Sequence, residues 1–530
     1  MQQKIVLKLS PAEAANEAII IQNIGKAALV KDASITGYSI LKKSIDARGK
    51  NIYINLTVNA FINEPNSSST TRKFTFQNVD ASSKKVIIIG SGPAGIFAAL
   101  QLLEKGIKPI ILERGKDVRA RRRDLAKLNK EGIVNPESNY CFGEGGAGTY
   151  SDGKLYTRSN KRGDIDRILD LFVHFGAPKN IAYDAHPHIG TNKLPQIITA
   201  MHEQIRSSGG EVLFEKKVVD FTLSDSQIEN VITLDGGIFT ADAYILATGH
   251  SARDIFTLLH LKNILIEAKP FAMGVRIEHP QHLIDNIQYH CSTERDVHLP
   301  PAAYSLVQQV NGKGVFSFCM CPGGIIAPAA TDAGELVVNG WSPSKRNNAY
   351  ANSGIVVQVE KEDALQSLQD ANIDTSEYDP LLFMKFQQMV EADAYKLGGG
   401  NFKAPAQRMI DFVKKKKSET LPHNSYLPGL TSANLEDVLP QFIYNALAEA
   451  FKHFGKKLKG YFTNEAVIVG VESRTSSPVR IPRNNDNLQH PQLINLYPCG
   501  EGAGYAGGIV SAAMDGERVA LQISFYFTRT

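Results

Sequence analysis

The chain has 530 residues, enough for roughly two or three domains of about 100–200 residues each. Hydrophobic residues make up 43% of the sequence and charged residues 21%, a composition that excludes global disorder and provides for a large buried core. The formal net charge of +4 is too small to indicate nucleic acid or an anionic membrane as a partner.

Cysteine usage and the N-terminus indicate the compartment. The five cysteines have no disulfide-like spacing, which is typical of a reducing environment. The first residues are too short and too often interrupted by lysine for a signal peptide, and no run of about 18 apolar residues predicts a membrane span. We therefore expect a cytoplasmic protein without a membrane partner, and the oligomeric state stays open.

Residues 1–80 are predicted to form a small α/β module. Residues 4–9 alternate polar and apolar side chains as a half-buried strand does. Residues 11–29 are predicted to form a helix, with Ser10 as its N-cap and Pro11 at its first position. Two further strands and a surface loop complete the module, at 35–42, 52–61 and 66–71.

From residue 84 the pattern changes to buried strands that alternate with helices. The apolar run 86–89 leads into a glycine-rich turn and an alanine- and leucine-rich helix, and a second run, 109–112, precedes Glu113. A helix at 194–207, a strand at 211–217 and strands between 227 and 247 follow. The sequence thus predicts an α/β fold with a Rossmann-like domain in two pieces, 84–264 and 465–530, and an inserted α+β domain at 265–464.

The turn at residues 90–95 carries a dinucleotide-binding fingerprint. Gly90 permits the tight turn out of the strand, Gly92 lets a pyrophosphate approach the backbone, and Gly95 lets the helix pack close to the sheet. Pro93 and Ala94 open a helix whose free N–H groups favour phosphate. The alternative interpretation is a glycine turn that binds no ligand.

Glu113 lies 23 residues after Gly90, near the spacing of ~20 at which an acidic residue binds a ribose hydroxyl. A carboxylate there disfavours a 2′-phosphate, so NADP is not expected at this turn. The fingerprint serves NAD and FAD alike. No second fingerprint has the same strand–turn–helix context, so a separate nicotinamide domain is not expected, and NAD(P)H stays a candidate transient reductant.

Other segments resemble FAD-binding oxidoreductases and imply non-covalent FAD. Ala247, Thr248 and Gly249 end a strand as the Ala-Thr-Gly motif of those proteins does, and Val218 stands where they contact adenine. The second glycine cluster resembles their segment for the ribityl chain and flavin ring. The residues that it implies are Gly500, Glu501, Gly507, Gly508 and Ile509.

The sequence Asn-Tyr-Cys-Phe-Gly-Glu-Gly-Gly-Ala-Gly-Thr-Tyr-Ser-Asp-Gly-Lys-Leu at 139–155 resembles a bacterial family described as uncharacterised FAD-dependent dehydrogenases. Further motifs of that kind occur at 321–324, 339–342, 404–408 and 472–478. The resemblance runs from about residue 84 to the C-terminus. It implies a Rossmann-like FAD-binding domain with an inserted substrate (cap) domain and the small N-terminal α/β module, and it implies no substrate.

The glycine-rich loop at 143–148 is expected to wrap around the flavin, because so many glycines are unusual in a packed element, and a plain surface loop is the alternative. A basic cluster before the loop offers a bidentate donor to the pyrophosphate, although a solvated helix face is the alternative. The further cofactor contacts expected here are Arg114, Arg121, Gly145, Gly146, Ala147, Gly148 and Ser151.

Candidate catalytic residues are fewer. Lys154 is placed to stabilise a reduced flavin anion, or is simply solvated. His188 is a candidate general acid. Together with His186 it supplies only two possible metal ligands, and without a third the sequence predicts no metal site. Cys321, with Cys319, is a redox pair or sulfur nucleophile, or else a small buried residue. Arg474 is a candidate for binding an anionic substrate.

These features favour an FAD-dependent oxidoreductase that transfers a hydride between a small-molecule substrate and flavin N5. A flavin-dependent RNA-modifying enzyme is one alternative, but residues 1–80 show no clear basic stripe for RNA. A flavin-binding protein without turnover is the other.

Overall fold

The computed structural model describes residues 1–66, 72–157, 163–292, 294–376 and 379–529. The surface loop predicted at 66–71 lies, except for Asn66, outside the described residues. Within the described ranges, no helix combines the length and the apolar character that crossing a membrane requires.

The N-terminal module is an antiparallel sheet with strand order β1-β3-β2, packed against two helices. The helix predicted at 11–29 is divided in two, because the Asn16 side chain accepts hydrogen bonds from the N–H groups of Ala18 and Ile19 and so starts a new helix. Ser10 caps the first helix as predicted, within a capping box. The elements are β1 (Gln2–Leu9), α1 (Pro11–Ala14), α2 (Glu17–Ala28), β2 (Ile35–Asp46) and β3 (Tyr53–Ile62).

The Rossmann-like domain begins with the predicted strand, glycine turn and helix. Its first piece also contains the predicted helix at 194–207, whereas the strand predicted at 211–217 ends at Leu213. The elements are β4 (Lys85–Ile89), α3 (Pro93–Glu104), β5 (Lys108–Leu112), α4 (Val118–Glu131), α5 (Ile165–His174), α6 (Leu194–Ser207), β6 (Glu211–Leu213), β7 (Val218–Ser224), β8 (Gln227–Thr233), β9 (Ile238–Phe239), β10 (Ala243–Leu246) and α7 (Arg253–Leu261).

A cap domain with a largely antiparallel sheet follows. Its elements are β11 (Glu267–Ala268), β12 (Phe271–Pro280), α8 (Gln281–Tyr289), β13 (Val307–Val310), β14 (Lys313–Pro328), β15 (Val338–Trp341), β16 (Tyr350–Val359), α9 (Lys361–Asp370), α10 (Leu382–Gly398), β17 (Ala404–Arg408), α11 (Met409–Val413), β18 (Leu430–Ser432), α12 (Gln441–Lys457) and β19 (Val467–Glu472). The chain then returns to the first domain through β20 (Val479–Arg480), β21 (Leu496–Pro498) and α13 (Ile509–Arg529).

The two domains are built on different sheets. The Rossmann-like sheet is parallel with order β21-β10-β4-β5-β6, and β7, β8 and β9 form a separate antiparallel sheet beside it. The cap sheet has order β13-β14-β16-β12-β19-β17-β18, with β15 paired to β14. Because β19 belongs to the cap sheet, the inserted segment extends to Glu472, beyond the boundary expected at residue 464.

Close backbone contacts bring α3 and α13 together at the parallel sheet. A Cβ atom on Gly95 would lie 2.1 Å from the carbonyl oxygen of Gly90, so this glycine has the packing role that the fingerprint predicts. A Cβ atom on Gly516, in α13, would lie 2.1 Å from the carbonyl oxygen of Ala94. The approach of α3 to the fingerprint turn therefore requires a glycine at position 95, and the approach of α13 to α3 requires one at position 516.

Replacing Gly516 with alanine is expected to destabilise the folded chain. The added methyl group meets fixed backbone, so overpacking should cost about 1–3 kcal/mol, less the ~1 kcal/mol that alanine gains over glycine in a helix. Urea unfolding of the flavin-free protein measures the difference. Gly49→Ala is the control, because a Cβ atom there meets no described atom within 4 Å. Equal unfolding midpoints for the two variants would contradict the packing argument.

Candidate functional site

An elongated cavity lies at the carboxyl ends of β4 and β10, where the Rossmann-like domain meets the cap. It contains about 1470 Å³ of empty space, including its open mouth. Ile89 and Ala247 contribute to its wall from the parallel sheet, and Phe318 and Asn339 contribute from the cap. Ligands of open parallel sheets bind at this edge, outside the carboxyl ends of the strands.

The fingerprint turn forms one wall of the cavity. Gly90 has a φ angle of +106°, which glycine adopts readily, and a Cβ atom there would lie 2.5 Å from the carbonyl oxygen of Ala247. At Gly92 the first described atom that a Cβ would meet is Gly146 Cα, at 3.9 Å. Gly92 therefore leaves a gap between the N-terminus of α3 and the glycine-rich loop, which a side chain would fill.

The N-terminus of α13 reaches the same cavity. Gly508, with φ at +123°, and Ile509 line the wall, and a Cβ atom on Gly508 or Gly249 would meet no described atom within 4 Å. The buried Thr248 hydroxyl on this wall has no hydrogen-bond partner within the described part of the chain. Two helix N-termini and an open polar group therefore face one space, which favours an anionic ligand.

Arg121 holds the glycine-rich loop in place. Its guanidinium is completely buried and donates to backbone carbonyls on both sides of the loop. The donor–acceptor distances are 2.8 Å to Asn139 O, 3.0 Å to Tyr140 O, 2.8 Å to Glu144 O and 2.9 Å to Gly146 O. A Cβ atom on Gly143 would lie 2.4 Å from Arg121 Cδ, so a glycine is needed for this approach.

Glu113 fastens the loop to the fingerprint turn. One carboxylate oxygen accepts from Ser91 N at 2.8 Å and Ser91 Oγ at 3.0 Å. The other accepts from Gly115 N at 2.8 Å and Gly143 N at 3.0 Å. Glu113 lines the cavity but is only 4% exposed, so a ribose hydroxyl must share this carboxylate with protein donors.

Two arginines and two glutamates join the domains beside the cavity. Arg253, at the start of α7, and Arg474, after β19, each contact Glu335 at 2.9 Å and Glu391 of α10 at 2.9 and 2.8 Å. Although burial opposes its charge, the two arginines hold the pKa of Glu391 well below its usual range. Burial and the nearby Glu391 raise the pKa of Glu335. The network fixes the cap against the parallel-sheet domain.

A second charged cluster surrounds Lys154 at the cap side of the cavity. Lys154 Nζ lies 3.1 Å from Asp152 Oδ2, 3.6 Å from Cys319 Sγ and 3.4 Å from Cys321 Sγ. Arg346 contacts the same Asp152 oxygen at 2.9 Å. Although partial burial opposes its charge, Asp152 and the cysteines raise the pKa of Lys154 above its usual value, so the ammonium persists at neutral pH.

A smaller cavity of about 530 Å³ adjoins the large one under the cap sheet. Aromatic and aliphatic side chains form most of its wall, with a few polar groups among them. The residues that belong to both cavities are Cys141, Ala147, Ser151, His250, Asn339 and Arg474. The two spaces therefore meet beside the glycine-rich loop.

Family models match most of the chain. Residues 84–255 match the model for pyridine nucleotide-disulphide oxidoreductase, and residues 270–475 match the model for FAD-dependent protein, C-terminal domain-like. Residues 1–61 match a domain of unknown function. A protein of Clostridium beijerinckii, described as an uncharacterized protein, is 41% identical over 525 residues that cover 95% of each chain.

The chain belongs to the FAD-dependent oxidoreductase family. Solved structures give only distant similarity. Glycine oxidase from Bacillus cereus is 12% identical, with 84% of this chain and 96% of that chain covered and a TM-score of 0.30. The flavin-dependent brominase Bmp2 is 13% identical, with 84% and 79% covered and a TM-score of 0.36. Similarity at this level carries no argument about the reaction.

The cavity of this FAD-dependent family member fits the cofactor, since its wall presents glycine backbone, two helix N-termini and the open Thr248 hydroxyl. The structure brings most of the predicted cofactor contacts to this one wall, and their contact with FAD stays a prediction. They are Gly90, Gly92, Pro93, Ala94, Glu113, Arg114, Gly146, Ala147, Gly148, Ser151, Val218, Ala247, Thr248, Gly249, Glu501, Gly508 and Ile509.

Several expectations for the FAD site need correction. Arg121 does not line the cavity, because its donors are directed at the loop carbonyls, and it supports the site instead of contacting a pyrophosphate. Three predicted glycines also lie outside the wall and have close neighbours or a left-handed backbone, namely Gly95, Gly145 and Gly500. Gly507 lies outside the wall too, but it is exposed, and a Cβ atom there would meet no described atom within 4 Å.

Some of the candidate catalytic residues line the cavity and others do not. Lys154 and Arg474 line the cavity, but Arg474 is already neutralised by glutamates and is poorly placed to bind an anion. Cys321 lies behind the wall and Cys319 lies on it. His188 lies off the cavity, with Nε2 3.1 Å from Ser344 O, and burial lowers its pKa to about 4, so it is a poor general acid at neutral pH.

Some site residues were not predicted from the sequence. His250 and Asp152 line the cavity, and Arg253 and Glu391 form the ion network beside it. His250 directly follows the Thr248-Gly249 strand end and Asp152 lies within the family-like segment, so position gave a signal for both. Arg253 and Glu391 gave none, because their pairing depends on how the cap packs.

Gly92→Val is expected to give a folded protein that lacks flavin. The side chain enters the gap between α3 and the glycine-rich loop, where the backbone must approach the pyrophosphate. The visible flavin absorbance of the purified variant measures the loss, and circular dichroism checks the fold. Gly49→Val is the control. A yellow variant with unchanged FAD affinity would overturn the assignment of this turn.

His188 is expected to weaken folding in acid. Its pKa is lowered from 6.5 to about 4 by burial, so the unfolded chain binds the proton more readily between these values. The free energy of unfolding should therefore rise with pH across this window, by at most ~1.4 kcal/mol per pH unit from this group. Urea unfolding at several pH values gives the free energy of unfolding as a function of pH. This free energy should rise less steeply with pH for His188→Asn than for the unmodified protein. His298→Asn, at an exposed site, is the control and should leave the pH dependence unchanged.

Proposed function

We propose that this protein is an FAD-dependent dehydrogenase or reductase that oxidises or reduces a small organic molecule held beneath the cap. The observation that carries the proposal is the junction of the two cavities. The large cavity has the construction of a dinucleotide site, and the smaller one lies against it, with His250, Ser151 and Asn339 in the walls of both. When bound, FAD supplies a hydride acceptor or donor at flavin N5.

The smaller cavity suits a compact molecule with an apolar body. Tyr140, Tyr150 and Trp341 provide aromatic surface, and Val337 and Val338 provide aliphatic surface. A mostly apolar wall with a few polar groups is typical of small-molecule sites. Four polar side chains line both cavities, so the reactive end of the substrate would be oriented toward the large cavity; they are Ser151, His250, Asn339 and Arg474.

His250 is the best-placed group to move the substrate proton. It belongs to both cavities, and its Nδ1 atom lies 3.7 Å from Glu501 Oε2. Burial lowers the pKa of His250, so the imidazole is neutral at neutral pH and can accept a proton from a hydroxyl or amine as the hydride leaves. Glu501 would stabilise the imidazolium that forms.

Arg474, held by Glu391 behind it, would exclude water and position the substrate. Their charges compensate each other beside the junction, so neither needs a substrate counter-ion. This favours a neutral or weakly polar reactive group over a carboxylate or phosphate. The candidate classes are therefore alcohols, amines and activated carbon–carbon bonds that can lose or gain a hydride.

Anaerobic titration of the flavin-loaded protein tests the proposal. We expect a visible flavin band that is bleached by NADH, by NADPH or by a member of an alcohol, amine and saturated-acyl panel, because the junction allows a donor to reach the flavin. Stopped-flow absorbance measures the rate. Trp341→Ala, at the smaller cavity, should weaken saturation by a panel substrate and leave bleaching by dithionite unchanged.

Gly92→Val protein is expected to hold no flavin, so it is the control for absorbance changes that do not come from bound flavin. A flavin band that dithionite bleaches but that no nicotinamide and no panel member bleaches would count against a small-molecule dehydrogenase. Absence of the band in freshly purified, FAD-supplemented protein would count against the cofactor itself.

A further inference from the structure

We propose that Cys319 and Cys321 form a redox-active dithiol that exchanges two electrons with the flavin bound in the adjoining cavity. This inference rests on the FAD-dependent function proposed above. Neither cysteine lies within residues 84–255, the segment that matches the pyridine nucleotide-disulphide oxidoreductase model. The inference comes from the cap strand β14 and from what surrounds it.

A bulge in β14 places Cys319 and Cys321 in different environments although the two residues are close in the chain. Phe318 pairs with Gly354 of β16 and Cys321 pairs with Asn352, so β14 carries one extra residue between these pairs. Cys319, inside the bulge, has a φ angle of +46°, in the left-handed region that cysteine rarely adopts. Its side chain lines the large cavity, whereas Cys321 is fully buried behind it.

One cation lies against both sulfur atoms. Lys154 Nζ is 3.6 Å from Cys319 Sγ and 3.4 Å from Cys321 Sγ, and it lines the same cavity. The fully buried Arg276 donates to Cys319 O at 2.6 Å and lies 3.8 Å from Cys321 Sγ. Two positive charges at this distance favour a thiolate over a thiol.

The pKa values of the two thiols are shifted in opposite directions. A hydrogen bond from Cys321 and the charges of Lys154 and Arg276 hold the pKa of Cys319 well below its usual range. Burial raises the pKa of Cys321 well above its usual range. An accessible thiolate beside a protonated, buried thiol is the arrangement in which the first sulfur acts as the nucleophile. The second sulfur can then react with it to close the disulfide.

The electron transfer balances without any further reagent. In the oxidative direction the Cys319 thiolate and the Cys321 thiol together lose two electrons and one proton, and the sulfur–sulfur bond forms between Cys319 and Cys321. Oxidised FAD would take both electrons and that proton. In the reverse direction a reduced flavin would return two electrons and one proton to the disulfide, and the thiolate and the thiol are restored.

Counting electrons tests the inference. Air-oxidised, flavin-loaded protein should take up four electrons per FAD in an anaerobic dithionite titration, two for the flavin and two for the disulfide. Cys321→Ser should take up two, and Cys291→Ser, remote from the cavity, should take up four. An uptake of two electrons by the unmodified protein would overturn the dithiol and leave the FAD assignment intact.

Thiol counting gives a readout that does not depend on flavin reduction. The chain has five cysteines, all thiols in this structure. Denatured air-oxidised protein should react at three of them, the five less the two joined in a disulfide, and dithionite-treated protein at all five. Five reactive thiols in both samples would overturn the dithiol. A missing flavin band would instead count against the proposed FAD-dependent function.

Lys154→Met separates an active dithiol from a structural pair. Loss of the ammonium should raise the pKa of Cys319, so that the midpoint of its alkylation by iodoacetamide moves to higher pH. Mass spectrometry locates the modification, and the pH dependence of the rate gives the pKa. An unchanged midpoint would mean that Lys154 does not sustain a thiolate and would overturn the electrostatic basis of the proposal.

Discussion

The site depends on the burial of one cation, Arg121, among backbone carbonyls. A guanidinium without water is costly, and burial accordingly lowers the pKa of Arg121. Here the donors are satisfied by carbonyl oxygens of the glycine-rich loop. The loop pairs with no strand in the described part of the chain, and Arg121 joins the carbonyls at its two ends. Glu113 completes the arrangement by accepting from the amide of Gly143 and from the fingerprint turn.

The cap is positioned by a second buried set of charges. Arg253 comes from the parallel-sheet domain, Glu391 from the cap, and Arg474 from the segment that joins them. Buried ion pairs contribute little net stability, because the cost of removing charges from water offsets their attraction. Their consequence here is geometric: a shift of the cap would leave Glu391 uncompensated. The junction of the two cavities is therefore fixed by charge as well as by packing.

Sequence reasoning succeeded where backbone geometry dictates the residue. The glycines at 90 and 95, and the helix at 194–207, follow from turn, packing and periodicity constraints that are visible in the sequence. It failed for Arg121 and Arg474, because sequence reveals a charge but not the direction in which a long side chain turns. It also missed the bulge at Cys319, since strand propensity does not specify where a register shifts.

The cluster around Lys154 lies between the proposed flavin site and the proposed dithiol. Arg346, Asp152, Lys154 and the Cys319 thiolate form a chain of alternating charge, each compensated by its neighbour. When Cys319 enters a disulfide, its negative charge disappears and Lys154 is left partly uncompensated on the cavity wall. In the proposed transfer the flavin would by then have received the electrons and would carry more negative charge. The same lysine can thus stabilise the thiolate before transfer and the flavin after it, so electron transfer in either direction need not create an isolated charge in a poorly solvated site.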